Sequence, residues 1–189
     1  MFPLGVFLLP GEEMPLRIFE PRYKQLINEC ENNGNTFGIP FTTGNEIKTY
    51  GTEVELLNVV AKNSKGEMVI LIKGIRNFHL LDFTETLPGK LYGGGVIEYV
   101  DDIYTTTNPE LSVLVKKLNL DPVLGSLLTN DSINLTSVAK AMMLNSNEKF
   151  SFYSLRDNYK MEKYLIKRLR FIEQMQVQEK LLENNFSLN

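Results

Sequence analysis

The sequence predicts an α+β fold, a β-rich first half followed by an all-helical second half, and three observations carry that reading. Before residue 100, extended apolar segments alternate with turns rich in Gly and Asn. From residue 108 onward the apolar residues recur at helical spacing. Between the two lies the polar run Asp101-Asp102-Ile103-Tyr104-Thr105-Thr106-Thr107, where the composition changes. The 189 residues leave room for a barrel plus a helical subdomain, which we place at 1–103 and 104–189.

In the first half, residues 3–9 read as an apolar strand and the loop through Pro10 and Gly11 leads to a shorter extended piece at 14–19. Pro15 and Pro21 each hold the preceding residue extended, and Pro21 suits the first position of a helix. Glu20 falls near that helix's N-cap, where its charge complements the dipole. Tyr23, Leu26, Ile27 and Cys30 form the apolar stripe, and Asn32-Asn33-Gly34-Asn35 ends it. Residues 37–41 are strand-like, and Thr43-Gly44-Asn45 is a turn. Residues 51–62 form a long strand with Val54, Leu56 and Val60 on one face and Leu57, Val59 and Ala61 on the other, so both faces are expected to be covered. Asn63-Ser64-Lys65-Gly66 is a hairpin turn into a strand that runs to Phe83 across Gly74, where a bulge or bend is expected. Gly93-Gly94-Gly95 opens a last strand over 91–100 and reads as close backbone packing, since the spacing of a dinucleotide fingerprint is missing.

In the second half, Asn108-Pro109-Glu110 is a strong helix start, with Leu111, Leu114, Val115 and Leu118 inward. Residues 123–129 and 134–144 read as helical, the latter burying Val138, Ala139, Met142 and Met143. Ser146 is expected to cap a short helix holding Phe150 and Tyr153. Asp157 is expected to cap a last helix that runs to about residue 182 with Met161, Leu165, Leu169 and Ile172 inward. Lys160, Lys163, Lys167 and Arg170 make a basic stripe read as a solvated face, and Arg168 beside it suits a salt bridge.

Several chemistries are poorly supported. A net charge of -3, with 9 basic and 12 acidic residues before residue 100, argues against a nucleic-acid partner. The single cysteine, Cys30, excludes an intrachain disulfide and a multi-cysteine zinc site, and fits a reducing compartment. The single histidine, His79, excludes ligation by several histidines and reads as a packed or half-exposed strand residue rather than a base. There is no phosphate loop and no Gly-x-Ser-x-Gly elbow, and the neighbours Glu12-Glu13 and Asp101-Asp102 lie in predicted loops. No stretch has the length of a spanning helix, and the first nine residues carry no basic leader, so neither membrane nor export is expected.

Three motifs carry a resemblance. They are Phe2-Pro3-Leu4-Gly5-Val6-Phe7-Leu8-Leu9-Pro10-Gly11 with Pro15-Leu16; Ile18-Phe19-Glu20-Pro21-Arg22-Tyr23; and Gly51-Thr52, a turn at Gly66, then Gly74-Ile75-Arg76-Asn77-Phe78. Together the sequence resembles the N-terminal domain of Lon proteases, departing from it at Arg17, where a histidine is common. Glu148-Lys149-Phe150 and the long last helix extend the likeness into the second half. The resemblance implies a PUA-like pseudo-β-barrel followed by a C-terminal helical bundle with a long last helix. It carries no ATPase or protease domain into this chain, so no catalytic residue, metal or cofactor is implied.

What the resemblance does imply is a non-enzymatic, cytoplasmic module that binds unfolded polypeptide or exposed hydrophobic segments, with a protease or chaperone as further partner. The same domain type also occurs as a stand-alone bacterial protein and in cereblon, so fold alone does not fix function; a small-ligand or RNA-binding PUA-like module is the alternative. Arg17, Phe19, Arg22, Tyr23 and Phe78 are the expected binding residues. Pro10, Gly11, Pro15, Glu20, Pro21, Gly74 and Arg76 are the expected structural positions.

Overall fold

Two strands of 17 residues each, β3 (Glu46–Lys62) and β4 (Met68–Thr84), form the long hairpin on which the first half is built. The computed structural model describes residues 1–100, 103–120 and 132–186. The chain divides into two compact units, Met1–Asp102 with Asn145–Phe150, and Ile103–Leu144 with Ser151–Asn189.

In the first unit β1 (Glu13–Ile18), β2 (Phe37–Thr43) and β5 (Gly94–Tyr99) join the hairpin in one antiparallel sheet of order β1-β4-β3-β2, with β5 also on β4. β1 pairs the first part of β4 and β5 its last part, so one long strand supports two short ones in succession. The hairpin turn forms as its residues require. Gly66 is left-handed, and the Asn63 side chain accepts from the backbone N–H groups of Lys65 and Glu67 at 3.0 and 2.9 Å. The bulge expected at Gly74 falls beside it, at Ile75, because Glu53 pairs Arg76 while Val54 pairs Gly74.

Residues 3–9, expected as a strand, are not one. Only Leu4 makes a bridge, parallel to Phe41, although Phe2 and Leu4 donate to Gly38 and Pro40. This extended segment lies along β2 and the terminal amino group meets the Gly93 carbonyl, so the curled sheet closes into a pseudo-barrel. The segment is pinned by a buried polar knot: Thr52 Oγ1 accepts from Leu8 N and donates to Leu8 O, which also accepts from Asn77 Nδ2. Pro10-Gly11 is a turn with Gly11 at φ 83°, closed by Glu12 N donating to Leu9 O.

The helix α1 (Pro21–Asn33) buries Tyr23, Leu26, Ile27 and Cys30, and ends on left-handed Gly34 as expected. Glu20 is its N-cap residue, but the carboxylate makes no capping hydrogen bond and pairs instead with Arg22 at 2.9 Å. Gly93, Gly94 and Gly95 are required by packing. A Cβ at each would come within 2.6 Å of Thr84 O, the Leu87 side chain or Asp82 O.

In the second unit β6 (Thr105–Thr106) pairs β7 (Ile133–Asn134). Its helices are α2 (Pro109–Lys117), α3 (Leu135–Ala141), the last part of α4 (Ser146–Tyr153) and α5 (Asn158–Phe186). Asn108 caps α2 through Glu110 N at 2.9 Å, and Asp157 caps α5 through Lys160 N at 2.8 Å, both as expected. The α4 cap lies one residue before Ser146. Asn145 and Glu148 exchange side-chain to backbone bonds at 3.0 Å, a capping box. Met143, expected inside, is exposed with left-handed backbone just past α3. The expected helix at 123–129 lies outside the described residues. Leu111, Leu114, Val115, Val138, Phe152, Met161, Leu165 and Leu169 form the unit's core.

Candidate functional site

Register decides which side chains of β1, β4 and β3 share a face, because directly opposed residues point the same way. Met14, Ile72 and Leu56 form one inward row and Leu16, Ile70 and Val59 the next, all in the core that α1 covers. The intervening rows face out: Glu13, Lys73 and Glu55; then Pro15, Leu71 and Asn58; then Arg17, Val69 and Ala61. Two bulges on β3 insert Leu57 and Val60 beside these rows, 40% and 61% exposed. The outer surface of a three-stranded sheet is therefore apolar through its middle, with Val69 and Leu71 half-buried among their neighbours.

Charges line its ends. Lys73 lies 3.9 Å from Glu55 and Arg17 lies 3.3 Å from Glu67, so positive and negative groups balance. The edges are less inviting than the face. Pro15 removes an N–H from β1, and the bulges at Leu57 and Val60 break the regular spacing of β3 past its pairing with β2.

The expectation that both faces of β3 are covered holds over residues 51–54, whereas beyond them Leu57, Asn58, Val60 and Ala61 are exposed, and two bulges change the register there. They also overturn the simple alternation in which Leu56 and Val60 share one face and Leu57 and Val59 the other. A single extra residue inverts every later side chain, and nothing local in Leu56-Leu57-Asn58 signals it.

Of the positions picked from sequence, Arg17 stands on the outward face and Phe19 is exposed just past β1. Arg22 is exposed at the start of α1 and lies 4.5 Å from the Tyr23 ring centroid. Tyr23 is buried and stacks on Phe2 at 3.8 Å. Arg22 and Tyr23 border a separate, mainly polar hollow of about 390 Å³, with Thr42, Asn45 and Glu85. Phe78 is fully buried, its ring set against Gly51 and Gly38, and has no surface to offer. These five residues are thus not gathered in one place.

The structural positions act through the backbone. Gly11 N donates to Gly74 O and Gly74 N to Glu12 O, which fastens the Pro10-Gly11 turn to β4. Glu12 then receives Lys149 at 2.8 Å, inside the same unit, while accepting Leu9 N. Arg76 holds Glu53 at 2.7 Å and its guanidinium lies 3.4 Å over the Tyr99 ring. Burial raises the Glu53 pKa, but hydrogen bonds from Arg76 and Thr36 outweigh it and leave the carboxyl below its ordinary range. Glu29 is likewise lowered, by hydrogen bonds from Lys90 and Tyr92.

His79 is half-exposed in β4, 3.9 Å from Glu98, as a strand histidine would be. Cys30 is a buried free thiol whose pKa burial raises, which makes it unreactive. Among the described residues no group of acidic, histidine and cysteine side chains could hold a metal ion, and no helix is long and apolar enough to cross a membrane.

A family model, the ATP-dependent protease La (Lon) substrate-binding domain, matches residues 1–185. Among solved structures, a Lon N-terminal domain protein from Xanthomonas campestris is 24% identical with a TM-score of 0.59, over 83% of this chain and 88% of that one. The N-terminal domain of a Mycobacterium avium complex Lon protease is 14% identical with a TM-score of 0.51, over 90% and 92%. At these identities the likeness shows the fold alone, and no curated protein matches the chain. With its pseudo-barrel, its long last helix and a family match that spans nearly its whole length, the chain belongs to the Lon protease substrate-binding domain family.

Proposed function

We propose that the protein binds unfolded or partly folded polypeptides through the outward face of β1, β4 and β3, without catalysing a reaction on them. The observation that carries this reading is the pair of outward rows in which Pro15, Leu71, Val69 and Ala61 lie beside exposed Leu57 and Val60. Covering one aliphatic side chain contributes about 1.5–3 kcal/mol. Association and ordering cost about 4–15 kcal/mol, so several such side chains must be covered at once and the resulting binding is weak and reversible. A short run of apolar residues in an extended client meets that need, and the balanced rim charges impose little sequence preference.

Arg17 and Phe19 border this face and are its contact residues; Tyr23 and Phe78 are buried in the scaffold, and exposed Arg22 lines a separate hollow. A protease or chaperone that takes over the bound client is the partner that fits such an activity. The free thiol of Cys30 suits a cytoplasmic setting.

The test uses a reduced, carboxymethylated protein as the unfolded probe and a photo-crosslinking residue at position 17 or 19. Crosslinking at both positions, lost in the Leu57→Asp/Val60→Asp variant with its circular dichroism unchanged, is the expected result. A correctly folded variant that captures the probe as well as the parent would remove the proposal. Retention of RNA instead of the probe would favour the alternative of a nucleic-acid reader.

A further inference from the structure

The second unit carries a groove of about 690 Å³ between the first turn of α2 and the first half of α5, lined by apolar surface from Tyr159, Ile166 and Phe171. Ile166 is buried in its floor, while Tyr159 and Phe171 are 61% and 57% exposed on its walls. Tyr159, Lys163, Ile166 and Arg170 follow one another at spacings of four, three and four, so one helix face supplies both the apolar surface and the charge. This part of α5 is the basic stripe that the sequence alone reads as a solvated face.

The charges around the groove are unequal in availability. Glu162 is turned to the start of α2, where it accepts from Thr106 and, at 2.6 Å, from Asn108 Nδ2. Glu110 is occupied by Arg170. Lys163 reaches over the Tyr159 ring at 4.3 Å, and no carboxylate among the described residues pairs with it or with Lys167. An apolar trough whose two acids are engaged, and whose lysines Lys163 and Lys167 pair with no carboxylate among the described residues, selects a ligand that is apolar at its centre and negative at its flanks.

We propose that this groove docks an acidic polypeptide segment, one aromatic or aliphatic anchor seated on Ile166 between Tyr159 and Phe171, with flanking carboxylates on Lys163 and Lys167. The site differs from the sheet face in unit, charge and preferred ligand, and does not rest on it. It gives the protein a sequence-selective contact, suited to a fixed partner, in addition to a permissive one suited to clients.

The experiment selects peptides from a random display library with the full chain, then measures the enriched peptides by fluorescence anisotropy at low and high salt. Enrichment of Asp and Glu around a single aromatic or aliphatic residue is expected. So are weaker binding as salt rises and at least a tenfold loss in the Lys163→Glu/Lys167→Glu variant, which should still capture the unfolded probe. The Leu57→Asp/Val60→Asp variant should keep the acidic peptide. Enriched peptides without acidic character, or an affinity indifferent to the two lysine reversals, would overturn the proposal. So would a dimer, seen by sedimentation, that the same reversals dissolve, since the occupant would then be a second copy of this chain.

Discussion

Replacing Thr52 by Val tests how the N-terminal segment is held against the barrel. The side chains have nearly the same shape and both favour strands, so packing and backbone preference change little. What disappears is the hydroxyl, which accepts from Leu8 N at 3.1 Å and donates to Leu8 O at 2.9 Å in a fully buried site. Leu8 O keeps Asn77 Nδ2 at 2.8 Å, and Asn77 keeps that bond when its 3.0 Å contact to Thr52 is lost. The uncompensated change is one buried N–H, the Leu8 amide, left without an acceptor. That costs about 1–3 kcal/mol, a large part of the roughly 5–15 kcal/mol that holds a typical domain folded.

Urea unfolding followed by far-UV circular dichroism and by the fluorescence of the 8 tyrosines, in a chain without tryptophan, measures it. With a slope of about 2 kcal/mol/M, a loss of about 2 kcal/mol lowers the midpoint by about 1 M. Thr52→Ser, which keeps the hydroxyl, should lose less, and a cycle with Asn77→Ala should show coupling of about 0.5–3 kcal/mol. A Thr52→Val midpoint within about 0.2 M of the parent, with unchanged exchange of the Leu8 amide, would mean that the hydroxyl does not hold the N-terminal segment.

Other positions give sharper or smaller effects. Gly51→Ala would set a Cβ 2.5 Å from the Phe78 ring and 2.6 Å from Ile39 O. The contact with backbone cannot be relieved by a rotamer change, so a destabilisation of about 1–3 kcal/mol or more is expected in the same urea assay. Glu53 has a depressed folded pKa, so it stabilises the fold above the ordinary carboxylate value of about 4, and that contribution fades as pH falls through the folded value. Glu53→Gln should therefore flatten the acid limb of a stability-against-pH curve. Asn145→Ala removes one half of the capping box at α4 and should cost about 0.5–2 kcal/mol, read as a lower melting temperature. Glu20→Ala removes only an exposed pair with Arg22 and no cap bond, so its effect should stay within about 1 kcal/mol.

The elements that short-range chemistry specifies are legible in the sequence. Pro21 and Gly34 bracket α1, Asn63 to Gly66 close the long hairpin, and Asn108 and Asp157 start their helices. Each is a decision made within four or five residues by a ring, a missing Cβ or a capping side chain. Where a neighbouring residue could do the same work the expected cap falls one position off, at Ser146 instead of Asn145. Residues 3–9 mislead for a different reason. They are apolar enough for a strand, but extended chain becomes strand only where a neighbour pairs it, and β2 offers partners to Phe2 and Leu4 alone.

The site is less legible than the fold. Phe78 looks like a ligand-facing aromatic in its motif, whereas the glycine directly opposite, Gly51, makes room to bury its ring. Lys163 and Lys167 are legible as a stripe, but not that the nearby acids Glu110 and Glu162 are already engaged. Local chemistry and short motifs in the chain specify the α+β class, most helix and turn boundaries, and the Lon substrate-binding family. Which apolar residues stay in water is instead set by long-range pairing, because bulges at Leu57 and Val60 and pairings between residues up to dozens of positions apart fix which way each side chain points.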